Sequence, residues 1–130
     1  MRIAFLLPAQ LIAAPVAAKP LTVRTGESWI FVIDHDQPAR TRRAQPNAKT
    51  KRGEVMVTVR AILGTAMSIT SNNRQAYTYR AELVGTARPV KARACTLPAN
   101  AALSFESSPD KAAGVRLSDF KPATKSGSCP

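Results

Sequence analysis

The chain has 130 residues and carries 19 lysines and arginines against 8 acidic residues, which gives a net charge of +11. The length is that of a single domain, and one histidine with two cysteines is too few for zinc-finger spacings or a histidine-rich metal site. The charge favours an anionic partner such as a membrane surface, a cell-wall polymer or nucleic acid, although many exported proteins are basic only for solubility.

The first 18 residues have the pattern of a secretory signal peptide. Met1-Arg2 is a short basic start, residues 3–14 are apolar, and Val16 and Ala18 are small residues at the positions that a signal peptidase recognises. We therefore predict a helical signal peptide over residues 1–18 and a mature domain over residues 19–130.

An uncleaved membrane anchor is the alternative interpretation of this N-terminal stretch. However, Pro8 and Pro15 interrupt an apolar run that is already shorter than the roughly 20 residues a spanning helix needs. We therefore expect no transmembrane segment in the mature chain. The expected location is the periplasm or the extracellular space.

The two cysteines, Cys95 and Cys129, both lie in the predicted mature part. An even number of cysteines behind an export signal favours a disulfide bond between them. Closing the loop between these positions contributes on the order of 4 kcal/mol in the chain-entropy model. We therefore predict a Cys95–Cys129 disulfide that anchors the irregular C-terminal segment.

Two strands are predicted at the start of the mature part. Residues 21–25 alternate apolar and polar side chains and end at Gly26, as expected of an edge strand. Residues 27–34 place apolar side chains on both faces, which indicates a strand covered on both sides. Trp29 is the only tryptophan, and we expect it to be a core residue rather than a ligand platform.

A cationic segment follows these strands. Residues 37–53 contain no acidic residue, and prolines and an asparagine interrupt any apolar periodicity, which predicts an extended, flexible loop. Loops carry binding groups more often than core strands do, so this loop is the candidate functional segment. Its basic side chains form the predicted anion-binding group: Arg40, Arg42, Arg43, Lys49, Lys51 and Arg52.

The central part of the chain has the clearest β pattern. Residues 54–63 alternate and predict a half-buried strand, with one apolar face made of Val55, Val57, Val59, Ala61 and Leu63. Residues 65–70 and 77–84 also alternate, and polar turn residues separate them. These two segments predict a hairpin with one face exposed to solvent.

Further short strands are predicted towards the C terminus, at residues 90–96 and 115–117, whereas residues 103–105 are too short to assign. Six or seven short strands and no convincing helix after the signal peptide predict an all-β fold, namely a small antiparallel β-sandwich. Residues 67–73, followed by the alternating aromatic strand, resemble hairpins of immunoglobulin-like domains, although the cysteine spacing differs from the antibody pattern. A small, partly open β-barrel is the alternative fold.

Other groups in the sequence offer little chemistry. Asp34, His35 and Asp36 alternate along a strand end, so we expect solvated turn residues rather than a metal site. Tyr77 and Tyr79 share a face and suggest either core packing or a stacking platform, and we favour the core. The sequence predicts no catalytic residue, no cofactor and no specific nucleic-acid binding.

We therefore predict a non-catalytic exported domain that acts as a binding or structural accessory, with a protein or an anionic envelope surface as its partner. The first alternative is a cationic binder of anionic envelope components through residues 40–52, assisted by Arg88, Lys91 and Arg93. The second alternative is an enzyme that uses His35 as its base.

Overall fold

The computed structural model describes residues 18–123, and both residues 1–17 of the predicted signal peptide and Cys129 lie outside this range. Within it the chain forms nine strands: β1 (Leu21–Arg24), β2 (Ser28–Asp34), β3 (Gln37–Ala44), β4 (Glu54–Arg60), β5 (Thr65–Ser71), β6 (Tyr77–Val84), β7 (Arg93–Leu97), β8 (Leu103–Ser108) and β9 (Gly114–Pro122). None of the described residues belongs to a helix that could cross a bilayer.

The strands form two antiparallel sheets. A four-stranded sheet has the order β1-β9-β6-β7, and a five-stranded sheet has the order β3-β2-β4-β5-β8. No strand between residues 18 and 123 belongs to both sheets, so the predicted β-sandwich is confirmed and the partly open barrel is not the fold. In the four-stranded sheet β9 lies between β1, the first strand, and β6.

The core lies between the two sheets and contains the inward side chains of alternating strands. Val55, Val57 and Val59 of β4 are fully buried, as the alternation predicts. At the centre, the ring of Phe120 lies 5.6 Å from Phe31 and 5.3 Å from Tyr79 between ring centroids. Each such large side chain stabilises the fold by about 1.5–3 kcal/mol through burial.

Two β-bulges interrupt the ladders beside these aromatic rings. In β3 the register shifts opposite Phe31, and Arg40 adopts a φ of 51°. In β9 it shifts opposite Tyr79, and Asp119 adopts a φ of 56°. Bulges bend a strand and change the direction of its side chains, so β3 and β9 curve where the sheets approach each other.

The predicted hairpin over residues 65–84 is wrong, because β5 and β6 belong to different sheets. Both edges of β5 are already paired, with β4 and with β8, so the chain crosses to the other sheet before β6 begins. The polar residues between β5 and β6 therefore form a connection between the sheets.

The predicted strand over residues 54–63 is too long, because β4 ends at Arg60. A Cβ atom at Gly64 would overlap the carbonyl oxygen of Ser108, so only glycine allows β5 to start this close to the end of β8. Residues 61–64 therefore form a turn, and Leu63 is exposed instead of lying on the buried face.

The predicted loop over residues 37–53 is wrong for its first half, because residues 37–44 form β3. His35 and Asp36 both have positive φ values and make a two-residue turn that brings β3 back along β2. Arginines and a proline are tolerated in β3 because it is an edge strand, paired within the described residues only with β2. Only residues 45–53 form a connection without strand structure.

Candidate functional site

The candidate site consists of β3 and the connection 45–53, which we call the cationic surface. The connection joins β3 to β4, and these strands lie on opposite sides of β2, so it must pass β2. All six predicted anion-binding residues are exposed here: Arg40, Arg42, Arg43, Lys49, Lys51 and Arg52. The structure thus exposes the complete predicted group but divides it between two faces of β3, since Arg42 pairs with Ile30 on the outer face and Arg43 pairs with Trp29, which packs against the core.

Glu54 is the anchor of this surface. Its carboxylate accepts hydrogen bonds from the Arg42 guanidinium at 2.8 and 3.3 Å and from the backbone N–H of Lys51 at 2.7 Å. The bonds from Arg42, followed by the one from Lys51, hold the pKa of Glu54 below its usual value. Because the Glu54 side chain is 12% exposed, this ion pair is shielded from solvent on one side.

Glu27 is a second anchor at the other end of β2. It accepts a hydrogen bond from Trp29 Nε1 at 3.0 Å, which is the main reason that its pKa is lowered, and pairs with Arg43 at 3.1 Å. The Arg43 guanidinium also lies 5.8 Å from the centroid of the Trp29 ring. Trp29 is only partly buried and packs against the margin of the core, so the expectation of a core residue holds in part.

The other four cations have no such anchor. Within residues 18–123, the side chains of Arg40, Lys49, Lys51 and Arg52 form no ion pair and no hydrogen bond, whereas Arg42 and Arg43 are held by carboxylates. Paired arginines therefore fix the scaffold. The side chains of the four remaining cations form no ion pair within the described residues, so they are available to bind an external anion.

The connection 45–53 is fixed at its C-terminal end. Besides the bond from Lys51 to Glu54, the backbone N–H of Gly53 donates to the Asn72 carbonyl at 2.7 Å, and Asn72 Nδ2 donates to the Thr50 carbonyl at 3.3 Å. These contacts restrict Lys51 and Arg52 before any ligand arrives. Such preorganisation lowers the entropic cost of binding.

Arg40 is held in an unusual backbone conformation. Its φ of 51° belongs to the left-handed region, which costs roughly 1–2 kcal/mol for a residue with a side chain. Glycine would relieve this cost at a bulge position. An exposed arginine here contributes nothing to the core, and strained positions of this kind concentrate at functional sites.

The structure does not bring the three assisting cations to this surface. Arg88 pairs with Asp110 at 2.8 Å, and Arg93 lies 3.9 Å from Glu106. Lys91 precedes β7, which is the outer strand of the four-stranded sheet. The candidate site therefore contains the 40–52 group without these residues.

The remaining candidate residues have other positions. His35 lies in the β2–β3 turn and contacts Asp34 at 2.9 Å, with both side chains exposed, and residues 18–123 contain no cluster of three or more metal-ligand side chains. Tyr79 is buried and stacked on Phe120, so the core interpretation of the tyrosine pair is confirmed for it. Burial also raises the pKa of the Tyr79 phenol.

Cys95 is buried in β7, at 2% exposure. Its expected partner, Cys129, is not among residues 18–123, so the predicted disulfide stays a prediction. A cavity of about 50 Å³ opens beside Cys95, between Met67, Leu83 and Val115. Pockets for small-molecule substrates are several times larger, on the order of 300 Å³ and above.

Glu27 and Glu54, which divide the cations into paired and unpaired groups, were not predicted as site residues from the sequence. The signal available in the sequence was their position, since an acidic residue stands immediately after the cationic segment and another begins the strand before it. Comparison with protein-family models, with curated proteins and with solved structures finds no match to this chain.

Proposed function

We propose that the mature domain is a non-catalytic exported protein that binds an anionic component of the cell envelope through the cationic surface. The observation that carries this proposal is the division of the six cations. Two arginines are neutralised by buried or half-buried carboxylates, and Arg40, Lys49, Lys51 and Arg52 have no carboxylate partner between residues 18 and 123.

The backbone around the unpaired cations favours a binding role over a purely solubilising one. A side chain that only keeps the protein soluble does not require a fixed backbone or a strained one. Here the backbone hydrogen bonds of residues 50–53 hold the connection, and Arg40 keeps a left-handed conformation. Near a strongly anionic surface each such cation contributes about 1 kcal/mol.

The proposal is tested by removing the four unpaired cations together. In the variant Arg40→Ser, Lys49→Ser, Lys51→Ser, Arg52→Ser, we expect affinity for a heparin column and for anionic vesicles to fall by roughly a thousandfold at low salt, because about 4 kcal/mol of electrostatic attraction is lost. Retention by the parent should also weaken as salt rises, since the Debye length shortens to about 8 Å at physiological ionic strength.

A matched control variant separates the effect of the site from the effect of net charge on binding. The variant Arg24→Ser, Arg74→Ser, Arg80→Ser, Lys91→Ser removes the same number of exposed charges from other parts of the fold. It should keep most of the binding and a similar unfolding midpoint. Equal losses in the two variants would mean that net charge alone causes retention, and a parent that fails to bind at low salt would remove the proposal.

A further inference from the structure

Four large apolar side chains are exposed beside the end of the five-stranded sheet, and we call them the apolar patch. Leu103 and Phe105 lie on the outer face of β8, because their strand neighbours Ser104 and Glu106 pair with the inward-facing Ile69 and Met67. Ile62 and Leu63 belong to the adjacent β4–β5 turn. Their exposed fractions are 49% for Ile62, 96% for Leu63, 67% for Leu103 and 59% for Phe105.

Three of these side chains, Ile62, Leu63 and Phe105, line a common groove, and Leu103 lies two positions before Phe105 on the same face of β8. A groove of about 360 Å³ is lined by Ile62, Leu63 and Phe105, and a second groove of about 240 Å³ shares Ile62 and Phe105 with it. Both grooves are open to solvent, so they suit a broad surface better than an enclosed small molecule. Contiguous exposed apolar side chains of this kind mark interaction sites.

Leu63 is the clearest sign that the patch has a role outside the fold. It has a φ of 48°, a left-handed conformation that asparagine and glycine adopt more readily than leucine. At 96% exposure its side chain adds almost nothing to packing. Neither the turn geometry nor the core explains a leucine at this position.

The apolar patch is bordered by positive charge. Arg60 lines the same groove as Ile62 and Phe105, is exposed, and forms no ion pair within the described part of the chain. The neighbouring carboxylates are occupied, since Glu106 lies on the inward side of β8 near Arg93 and Asp110 pairs with Arg88. A partner of this surface must therefore combine apolar groups with negative charge.

The outer side of the five-stranded sheet carries both elements of such a surface. The ladder order puts β3, with the cationic surface, at one edge and β8, with the apolar patch, at the other. Arg60 and Phe105 both project from its outer face, because Arg60 follows the inward Val59 in β4 and Phe105 alternates with inward residues. Arg42 shares this face but is paired with Glu54. Cations and apolar groups thus share one face.

We infer that the anionic component bound by this protein is a lipid bilayer, with the apolar patch entering the interfacial region while Arg60 and the cationic surface contact anionic head groups. This inference rests on the proposed function and names its ligand class. Charge complementarity selects the bilayer over a second copy, because two mature domains, each with 18 basic and 8 acidic residues once Arg2 is removed, repel each other and would place Arg60 near its own copy. An anionic polysaccharide would leave the apolar side chains in water.

The experiment compares a bilayer with a soluble polyanion. The variant Leu63→Ser, Phe105→Ser should bind vesicles of equimolar phosphatidylglycerol and phosphatidylcholine at least about tenfold more weakly than the parent, because two apolar side chains no longer leave water. Its retention on heparin should stay the same. The four-cation variant, in contrast, should lose both kinds of binding.

A second measurement reports on insertion itself. The emission that Leu63→Trp gains over the parent, which contains Trp29 alone, should shift to shorter wavelength on addition of the same vesicles, and this difference spectrum should not shift with heparin. Parent-like vesicle binding by the Leu63→Ser, Phe105→Ser variant would overturn the inference while heparin retention still supported the proposed function. A parent that is dimeric, with a monomeric variant, would also overturn it by showing that a second copy covers the patch.

Discussion

The outer faces of the two sheets use their charged residues differently. On the four-stranded sheet, Arg116 of β9 and Glu82 of β6 face each other across the ladder and form a 2.6 Å ion pair. On the five-stranded sheet, the outward Glu54 holds one arginine, while Arg60 and the unpaired cations have no carboxylate among the described residues. Arg24 of β1 and Arg80 of β6 also point outward on the four-stranded sheet and form no ion pair within residues 18–123. Both faces are therefore positive, and they differ in arrangement, because the unpaired cations beside the five-stranded sheet are concentrated in Arg40 and the connection 45–53.

Apolar exposure differs more clearly between the two sheets. All four large apolar side chains that are exposed within residues 18–123 lie in β8 or in the turn between β4 and β5, beside the five-stranded sheet. An alternating strand in a sandwich requires only that its inward residues be apolar, so outward positions are free to vary. The residues on the outer face of a sheet therefore depend more on what the sheet contacts than on the stability of the fold.

The largest expected effect comes from a substitution in the β4–β5 turn, which carries Ile62 and Leu63 of the apolar patch. Gly64→Ala should lower the free energy of unfolding by about 2–4 kcal/mol, because the new Cβ would overlap the Ser108 carbonyl and φ is +116°. Urea unfolding measures this change.

The matched control is Gly26→Ala, where φ is +91° but no atom lies within 4 Å of an added Cβ. It should cost only about 1–2 kcal/mol, from backbone strain alone. Equal costs at Gly64 and Gly26 would show that the turn is not held against β8.

The second prediction compares the two carboxylates that anchor arginines on opposite faces. Glu54→Gln should lower the free energy of unfolding at neutral pH by about 1–2 kcal/mol, because bonds from Arg42 and Lys51 lose their charged acceptor. Glu82→Gln should cost less than about 1 kcal/mol, because its pair with Arg116 is more exposed.

The pH dependence has a defined sign. The pKa of Glu54 is lowered in the folded state, so its stabilising contribution is complete above the ordinary value of 4.5 and is lost as pH falls through the folded value. The difference in stability between the parent and Glu54→Gln should therefore shrink below pH 4.5. A difference that is constant from neutral to acidic pH would contradict the role of Glu54 as a charged anchor.

The smallest expected effect is on the free energy of unfolding of a variant in the apolar patch, and it tests whether Leu63 contributes to stability. Leu63→Asn should leave the free energy of unfolding unchanged or raise it by up to about 1 kcal/mol, since asparagine suits a positive φ and an exposed leucine contributes little packing. Thermal unfolding checks this. Leu103→Asn, in an extended strand, should be slightly destabilising instead, and a clear loss of stability in Leu63→Asn would assign Leu63 a packing role.

The alternation in residues 54–60 was sufficient to predict β4, because burial of one face leaves a local period of two. Pairing partners were not predictable in the same way. β5 pairs with β8, which lies more than 30 positions away, and local periodicity contains no information on contacts of that range. For the same reason the turn residues after β5 suggested a hairpin that does not exist.

The candidate site was half predictable. Counting charges identified all six cations of residues 40–52, and all are exposed. Because of the same charges, residues 37–44 were predicted as a loop, although they form β3. An edge strand tolerates arginines that a central strand would exclude. Which cations are paired depends on how Glu27 and Glu54 are placed in the folded sheet. The apolar patch likewise depends on where β4 ends, which is known only from the fold.

The position of β9 has a consequence for the timing of folding. Residues 28–71 contain four neighbouring strands of the five-stranded sheet, so most of that sheet can assemble from one contiguous stretch. The four-stranded sheet cannot, because β1 and β6 both pair with β9 and Phe120 arrives only with it. Such distant pairings close slowly. A nascent chain therefore cannot complete the four-stranded sheet, or pack Phe31 and Tyr79 against Phe120, until residue 122 has been synthesised.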